Sequence, residues 1–420
     1  VEYVNKSFDV MDDFYSPRSG ACSVLYTLSK LRAKRTVMPF LSFLSNILVA
    51  YQEAPEGSPE RAVLVRQKDG VLTAVGHIKE KLLSSNELRN SLLNMILVHV
   101  QPELSSNVGF LRARVCWLYG QLASEDMDFF LMTPNFLMST LDGILKCLND
   151  SEFPVRVQAA VDLRHFLSNP SSCEAILPVL PIVLEQLCNL IDEVNNTDLV
   201  TTIESIVERF SDHIIPYANV LCSKLVIAFC RASNAGEDED ESSLAAVQCV
   251  QAIQAIVQSL AEKQESDLQR ATVIRQLEPQ LAPLFHGMFE EDRMDFFEDL
   301  LELVSLLIYY SSGDGAGSVS PMLWSLFPQM YMAFNQWAFD FMSNLVAPID
   351  NYISNDPETF LTGSHNGVTY VQMVFNMITK VWDELFVDDD AEEGAKIAEV
   401  MILNCKGRID EVIRALLPAV

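Results

Sequence analysis

One spacing recurs through this chain, and it limits the fold more than any other feature. Residues 151–168 read SEFPVRVQAAVDLRHFLS; moved back by 44 positions, they overlie GFLRARVCWLYGQL at 109–122. Arg156 then falls on Arg112, Ala160 on Cys116 and Leu163 on Tyr119. A second step of 44 puts Lys68 of QKDGVLTAVGHI in the same place, with Gly76 on Gly120. Forward steps bring in TTIESIVERF after Val200 and AAVQCVQAIQAIV after Leu244. The later units drift: DFFEDLLELV (295–304) and DFMSNLVAPI (340–349) stand 45 apart, after a longer step into the first. SPRSGACSVLYTLS (16–29) is an earlier unit and AKIAEVMILNCKGRID (395–410) a later one.

Each anchor opens an apolar pattern at i, i+3, i+4, i+7, the mark of a helix with one buried face. A second such pattern precedes it, as in MPFLSFLSNIL (38–48), LRNSLLNMILVHV (88–100), FLMSTLDGILKCL (136–148) and IPYANVLCSKLVIAFC (215–230). The unit is therefore helix, turn, helix. Two helices in a period of roughly 40 to 47 residues are the pattern of HEAT and armadillo repeats. One hairpin cannot bury both its faces, so neighbours must stack. The expectation is an all-α, right-handed superhelical solenoid of about nine HEAT repeats, continuous over residues 1–420. A chain of 420 residues also exceeds what one hydrophobic core usually supports. With only 16 glycines it lacks the turn signals of an all-β sandwich.

The period assigns roles. Lys68, Arg112 and Arg156 share one place near the start of the second helix, where a cation can pair with a carboxylate or carbonyl of the next hairpin. They read as rungs between repeats. Cys116 reads as a small packing position, although two nearby arginines are also a setting that lowers a thiol pKa. Arg114 has Gln158 as its counterpart; an acidic segment of this chain or a partner are both open to it.

No catalytic chemistry is legible, and no metal or cofactor site is expected. None of the six histidines sits in H-E-x-x-H or at zinc-finger spacing from cysteine. SGDGAGS (312–318) lacks the preceding strand and the Lys-Ser/Thr pair of a phosphate loop, so 311–320 reads as a flexible Gly/Ser loop. The nine cysteines are odd in number and form no C-x-x-C, which fits reduced thiols in the cytosol or nucleus. An enzyme is not expected.

Charge points to partners. The chain has 29 Lys+Arg against 57 Asp+Glu, a formal net charge of −28. That disfavours nucleic acid and anionic lipid and favours basic proteins, unless the excess serves only solubility. NAGEDEDESS (234–243) sets Glu237, Asp238, Glu239, Asp240 and Glu241 in a row, which reads as an acidic loop within a repeat. LFVDDDAEEGA gives a second acidic loop at 387–394, with Asp388, Asp389, Asp390, Glu392 and Glu393. MFEEDRMDFFEDLLE (288–302) adds further acids. Each run reads either as a basic-ligand contact or as a solvated loop or helix start, where acids suit the helix dipole. SKLRAKRTV (29–37) is the densest basic patch, open to acidic partners, to mimicry of a localisation signal, or to a role as the solvated end of a helix. No unbroken apolar run approaches the roughly 18 residues of a membrane span, so no membrane partner is expected. The start at Val1 without Met suggests a segment of a longer chain.

GFLRARVCWLYGQLA followed by DSEFPVRVQAAVDLRHFLSN resembles the importin-β (karyopherin-β) superfamily, in particular its importin seven and importin eight branch. EYVNKSFDVMDDFYSPRSGA, RQKDGVLTAVGHI, GEDEDESS, SPMLWSLFPQMY and EVMILNCKGRID agree in the same order across the chain. EAPEGSPERAVLVRQ (53–67) and SGDGAGSV are longer than in the vertebrate receptors, and CKGRID is shorter, which leaves cargo preference open. The resemblance implies an arch whose second helices line an acidic inner surface and whose first helices form the outer one. It implies basic cargo inside, such as ribosomal proteins and histones. Phe-Gly nucleoporins would bind between outer helices, and Ran-GTP would release cargo in the nucleus. It further implies the middle of a receptor that shuttles between cytoplasm and nucleus, with the main Ran site upstream. The alternative is a HEAT scaffold that holds a stable complex and takes no part in transport.

Overall fold

Serine and proline decide where many of the helices begin. Ser58 Oγ accepts from the Arg61 amide while Pro59 takes the first helical position, which needs no N–H donor. Ser16, Ser85 and Ser266 cap in the same way. The computed structural model describes residues 16–194, 196–234, 240–311, 319–384 and 388–416, and it groups them into two units, Val1–Arg209 and Phe210–Val420.

In the first unit the main helices are α1 Pro17–Leu31, α2 Ala33–Glu53, α3 Pro59–His77, α4 Asn86–Met95, α5 Gly109–Glu125, α6 Phe136–Cys147, α7 Phe153–Leu163, α8 Leu180–Glu193 and α9 Thr197–Arg209. Odd numbers are second helices and even numbers first helices. Gly109, Phe153 and Thr197 open α5, α7 and α9 at a constant step of 44 residues. Helix α5 packs on α3 and α7, and α7 packs on α9, so the second helices form one continuous row. Covered on several sides, α5 buries Leu111, Val115, Leu118, Tyr119 and Leu122 completely. Each such aliphatic side chain contributes about 1.5–3 kcal/mol. Tyr119 also meets Phe130 and Phe136 edge-on, in a cluster that Phe129 and Phe166 complete.

The second unit repeats the plan with α10 Ala218–Ala232, α11 Asp240–Glu262, α12 Asp267–Phe285, α13 Phe297–Ser311, α14 Phe327–Gln336, α15 Met342–Asn355, α16 Tyr370–Glu384, α17 Asp388–Cys405 and α18 Asp410–Leu416. Its second helices α11, α13, α15 and α17 again pack in sequence. Each unit is thus an all-α stack of helical hairpins of HEAT type.

Four points differ from the sequence reading or add to it. The acidic run at 387–394 is helical from Asp388 onward, as the first turns of α17. The run at 234–243 is likewise helical from Asp240, as the start of α11. The physical reason is shared: acids beside the unsatisfied N–H groups at a helix start are stabilised by the dipole, so a like-charge run there opens a helix instead of remaining a loop. Glu237, Asp238 and Glu239 lie outside the described residues, as does 312–318 of the Gly/Ser segment. Third, HNGV folds into a hairpin, with β1 (Ser364–His365) antiparallel to β2 (Val368–Thr369). Asn366 and Gly367 both have positive φ, 49° and 82°, as a tight two-residue hairpin turn requires. Fourth, three helical stretches, Pro170–Glu193, Ser211–Ala232 and Ser243–Glu262, are long and apolar enough to cross a membrane by length and composition. Unbroken apolar runs do not mark them, because polar residues interrupt each one. Here their apolar faces pack inside the stack: Leu184, Leu187, Leu225, Ile253 and Ile256 are all buried.

Candidate ligand-binding surface

Lys68, Arg112 and Arg156 are each paired within the first unit. Lys68 Nζ on α3 lies 2.7 Å from Glu103 Oε1, just ahead of α5, and only 2% of the residue is exposed. Arg112 on α5 donates from Nε and Nη2 to the two carboxylate oxygens of Asp150, just ahead of α7, at 2.6 and 2.7 Å. Arg156 on α7 donates to the Asp150 carbonyl and lies 3.7 Å from Glu193, at the end of α8. Each cation therefore clamps its second helix to the turn before the next. Burial pushes the Lys68 pKa down against the pull of Glu103. Burial alone would raise Asp150, but the bonds from Arg112 and the Glu152 amide, with the charges of Arg112 and Arg156, hold it below the usual carboxylate range.

Arg114 finds its partner one period back. Its Nε donates to Asp69 Oδ1 on α3 at 2.7 Å, and its guanidinium stacks 4.8 Å from the Trp117 ring. Asp69 also meets Arg18 of α1 at 3.6 Å, so one carboxylate ties three successive second helices. The Trp117 ring lies close against Gly76: a Cβ there would sit 2.5 Å from its Cη2. Cys116 is buried, and contact with the Cys147 thiol, aided by burial, raises its pKa; it is not an activated nucleophile. Asp162 on α7 is fully buried against Gly120 of α5, where a Cβ would stand 2.1 Å from Oδ1, and Gln158 Nε2 donates to its Oδ2 at 2.7 Å. Burial lifts Asp162 to about 7.

The second unit joins its second helices by neutral amides. Asn351 Nδ2 on α15 donates to the Ser305 carbonyl and Oγ on α13 at 3.0 and 2.8 Å. Asn355 donates to the Ile308 carbonyl, and Asn404 on α17 to Ser354 Oγ. Gln254 on α11 donates to the Asp299 carbonyl and Gln251 to its carboxylate. Because amides make these rungs, the carboxylates on the same edge need no cation from the chain. Glu298 and Glu302 on α13 and Glu399 on α17 are exposed and have no ion-pair partner among the described residues. Of the acids expected to bind ligand, Glu392 and Glu393 both pair with Lys396, at 3.3 and 3.0 Å. Asp388, Asp389 and Asp390 stand in the same helix start; the amide rungs, by contrast, carry no charge pattern that sequence reading could have picked out.

A cleft of about 480 Å³ opens on the first-helix side of this unit, lined by Val319, Pro321, Trp324, Ser325, Pro328, Thr359, His365 and Tyr370. Trp324 stacks on Tyr370 with centroids 5.1 Å apart and planes 2° from parallel. Trp324 Nε1 donates to Asp356, which also caps the helix Pro357–Thr362. The hairpin β1–β2 supplies His365 to the cleft wall. Among the described residues no cluster of three His, Cys, Asp or Glu could hold a metal ion.

No protein-family model matches the chain. Three curated relatives align over almost all of it. The importin beta-like SAD2 homolog of Arabidopsis thaliana is 36% identical over 416 residues, covering 98% of this chain and 38% of its own length. The probable importin-7 homolog of Dictyostelium discoideum is 31% identical, with 98% and 37% covered. Human importin-8 is 27% identical, with 98% and 38% covered. The chain therefore spans a little over a third of the length of these relatives. Among solved structures, yeast importin-β (Kap95p) aligns with a TM-score of 0.47 and 13% identity, over 95% of this chain and 50% of that one. Kap121p bound to Pho4p gives a TM-score of 0.45 and 12% identity, over 97% and 46%.

Proposed function

The chain belongs to the importin-β superfamily and is similar throughout to importin-7 and importin-8 proteins, and on that premise we propose that it is a nuclear transport receptor segment that binds basic cargo on the second-helix edge of its second unit. One observation carries the reading: amides make the rungs, and Glu298 and Glu302 on α13 and Glu399 on α17 are exposed and have no ion-pair partner among the described residues. Such an edge attracts lysine-rich proteins at long range, orients them on approach, and loses strength as salt screens it. Ribosomal proteins and histones have the required chemistry. We include Glu237, Asp238, Glu239, Asp240 and Glu241 and Asp388, Asp389 and Asp390 in the proposal on their charge in the sequence. Ran-GTP regulation belongs to the whole receptor, with its main site upstream, and the receptor shuttles between cytoplasm and nucleus.

The test is affinity for a lysine-rich histone-tail or ribosomal-protein peptide at two salt concentrations. We expect binding about tenfold tighter at 50 than at 300 mM salt, and about three- to tenfold weaker binding on E298Q/E302Q substitution. Changing Glu237–Glu241 to Ser should weaken it by a few-fold. Affinity that ignores both salt and E298Q/E302Q sinks the proposal.

In this reading, Phe-Gly repeats of nucleoporins enter the cleft over Trp324 and Tyr370. A single Phe ring buried there contributes about 1.5–3 kcal/mol. Filling the mouth by Ser325→Trp, at an exposed position, should cut retention on Phe-Gly resin several-fold without changing cargo affinity. Wild-type protein that never binds the resin favours the non-transport scaffold instead.

A further inference from the structure

We propose that the turn joining α1 to α2, with the short helix Lys79–Leu83 beside it, is a docking surface for an acidic, partly apolar polypeptide segment. Lys30, Arg32, Lys34 and Arg35 follow one another round this turn, and all four are exposed. Lys30 Nζ donates to Tyr26 Oη at 3.1 Å, and Tyr26 Oη donates to Glu80 Oε2 at 3.1 Å, so the end of α1 and the short helix touch. Lys30 lies 4.0 Å from Glu80. The side chains of Arg32, Lys34 and Arg35 make no ion pair or hydrogen bond among the described residues. They contrast with Lys68, Arg112, Arg114, Arg156 and Arg164, each of which is paired within the chain.

The arrangement works against the fold. Arg32 occupies the cap position of α2 without a capping side-chain bond, and no acid stands in the first turn beside Lys34 and Arg35. Arg32 also closes α1, whose negative end favours it, but cations at the positive end of a helix dipole are destabilising, and among the described residues no acid side chain pairs with Lys34 or Arg35. A local rule broken without internal compensation is the usual mark of a surface kept for a partner. Three apolar side chains share the patch: Leu28, Leu31 and Met38 are 42%, 71% and 57% exposed. The charge selects an anionic partner, and the apolar residues select a polypeptide with leucine-like side chains over bare phosphates. Duplex nucleic acid and bilayers present extended anionic surfaces. Beyond a patch of one turn, such surfaces would meet the repulsion of a chain that carries −28 overall.

This surface is separate from the proposed cargo edge, and its test stands apart from that reading. The probe is a fluorescein-labelled 16-residue peptide of twelve Glu/Asp and four Leu, with anisotropy read on the 420-residue chain at 50 mM salt. We expect saturable binding that R32E/K34E/R35E weakens at least tenfold, while K406E/R414E, at exposed cations of the second unit, leaves it unchanged. The triple variant should melt close to the parent, since acids at positions 34 and 35 suit the start of α2 and only R32E also faces the end of α1, so lost binding cannot be assigned to lost folding. Lysine-rich peptide affinity should not fall in the triple variant. Absence of peptide binding, an equal loss in K406E/R414E, or tighter binding of duplex DNA or phosphatidylserine vesicles through the same three residues would overturn the proposal.

Discussion

Replacing Lys68 by Met is expected to destabilise the α3–α5 contact by about 3–5 kcal/mol, the usual cost of stranding one partner of a buried ion pair. Glu103 is only 8% exposed and would keep just the Tyr51 hydroxyl, 3.4 Å from Oε2. Lys68 also sits 4.1 Å over the Tyr51 ring, a contact that Met partly preserves. Hydrogen exchange of the α3 and α5 amides is the suitable readout, because it reports local opening and not the averaged melt of a 420-residue chain. The paired change K68M/E103L should return most of the loss, since apolar residues of similar size replace buried ion pairs at little cost. A single-variant loss below about 1 kcal/mol would mean that the pair is solvated and is not a rung.

The second large effect has the opposite sign. Asp162→Asn should stabilise the first unit by about 2–4 kcal/mol at pH 8, and the gain should shrink toward pH 4. In the fold the Asp162 carboxyl titrates at about 7, with burial as the main cause, whereas an unfolded aspartate titrates near 3.9. Between those values the folded chain holds a proton that the unfolded chain has released. The stability from the neutral carboxyl is therefore full below about pH 4 and is lost as pH rises through 7. An asparagine stays neutral throughout and keeps an acceptor for Gln158. The charges that face this site are Arg114 from α5, Arg164 from the following turn and Asp198 from α9, and none of the three is removed by the substitution. A pH-independent difference between the parent and the D162N variant, measured by exchange in α5 and α7, would show that the carboxylate is solvated in the native state.

The first effect sits on a feature that a 44-residue period makes visible, whereas Asp162 has Leu118 and Ile206 at its periodic positions and carries no such signal. Lys68 falls in line with Arg112 and Arg156, and the starts of α5, α7 and α9 keep that step. The hairpin at 364–369 was harder to read, because strands of two residues carry no alternation and only the Asn-Gly turn marks them. The acidic runs were legible as charge but not as structure, since the same acids that repel in a loop are favoured at the first turn of a helix. Arg114 could have been matched to Asp69, which stands 45 residues earlier, by asking which acid lies one period back. The amide rungs had no such signal. Asn351, Asn355 and Asn404 are neutral residues inside apolar patterns, and only their bonds to the neighbouring helix show why the second unit leaves its acids free.

The central claim concerns where a basic ligand lies, so the most direct measurement is a map of its contacts. A lysine-rich peptide carrying a photoreactive side chain, crosslinked to the 420-residue chain at low salt and read by mass spectrometry, reports this residue by residue. The account predicts crosslinks concentrated on the exposed edges of α13, α15 and α17, around Glu298, Glu302, Asn351 and Glu399, and lost at 300 mM salt. Crosslinks concentrated on the second helices of the first unit, where Asp69 and Asp198 are already paired with arginine, would contradict it.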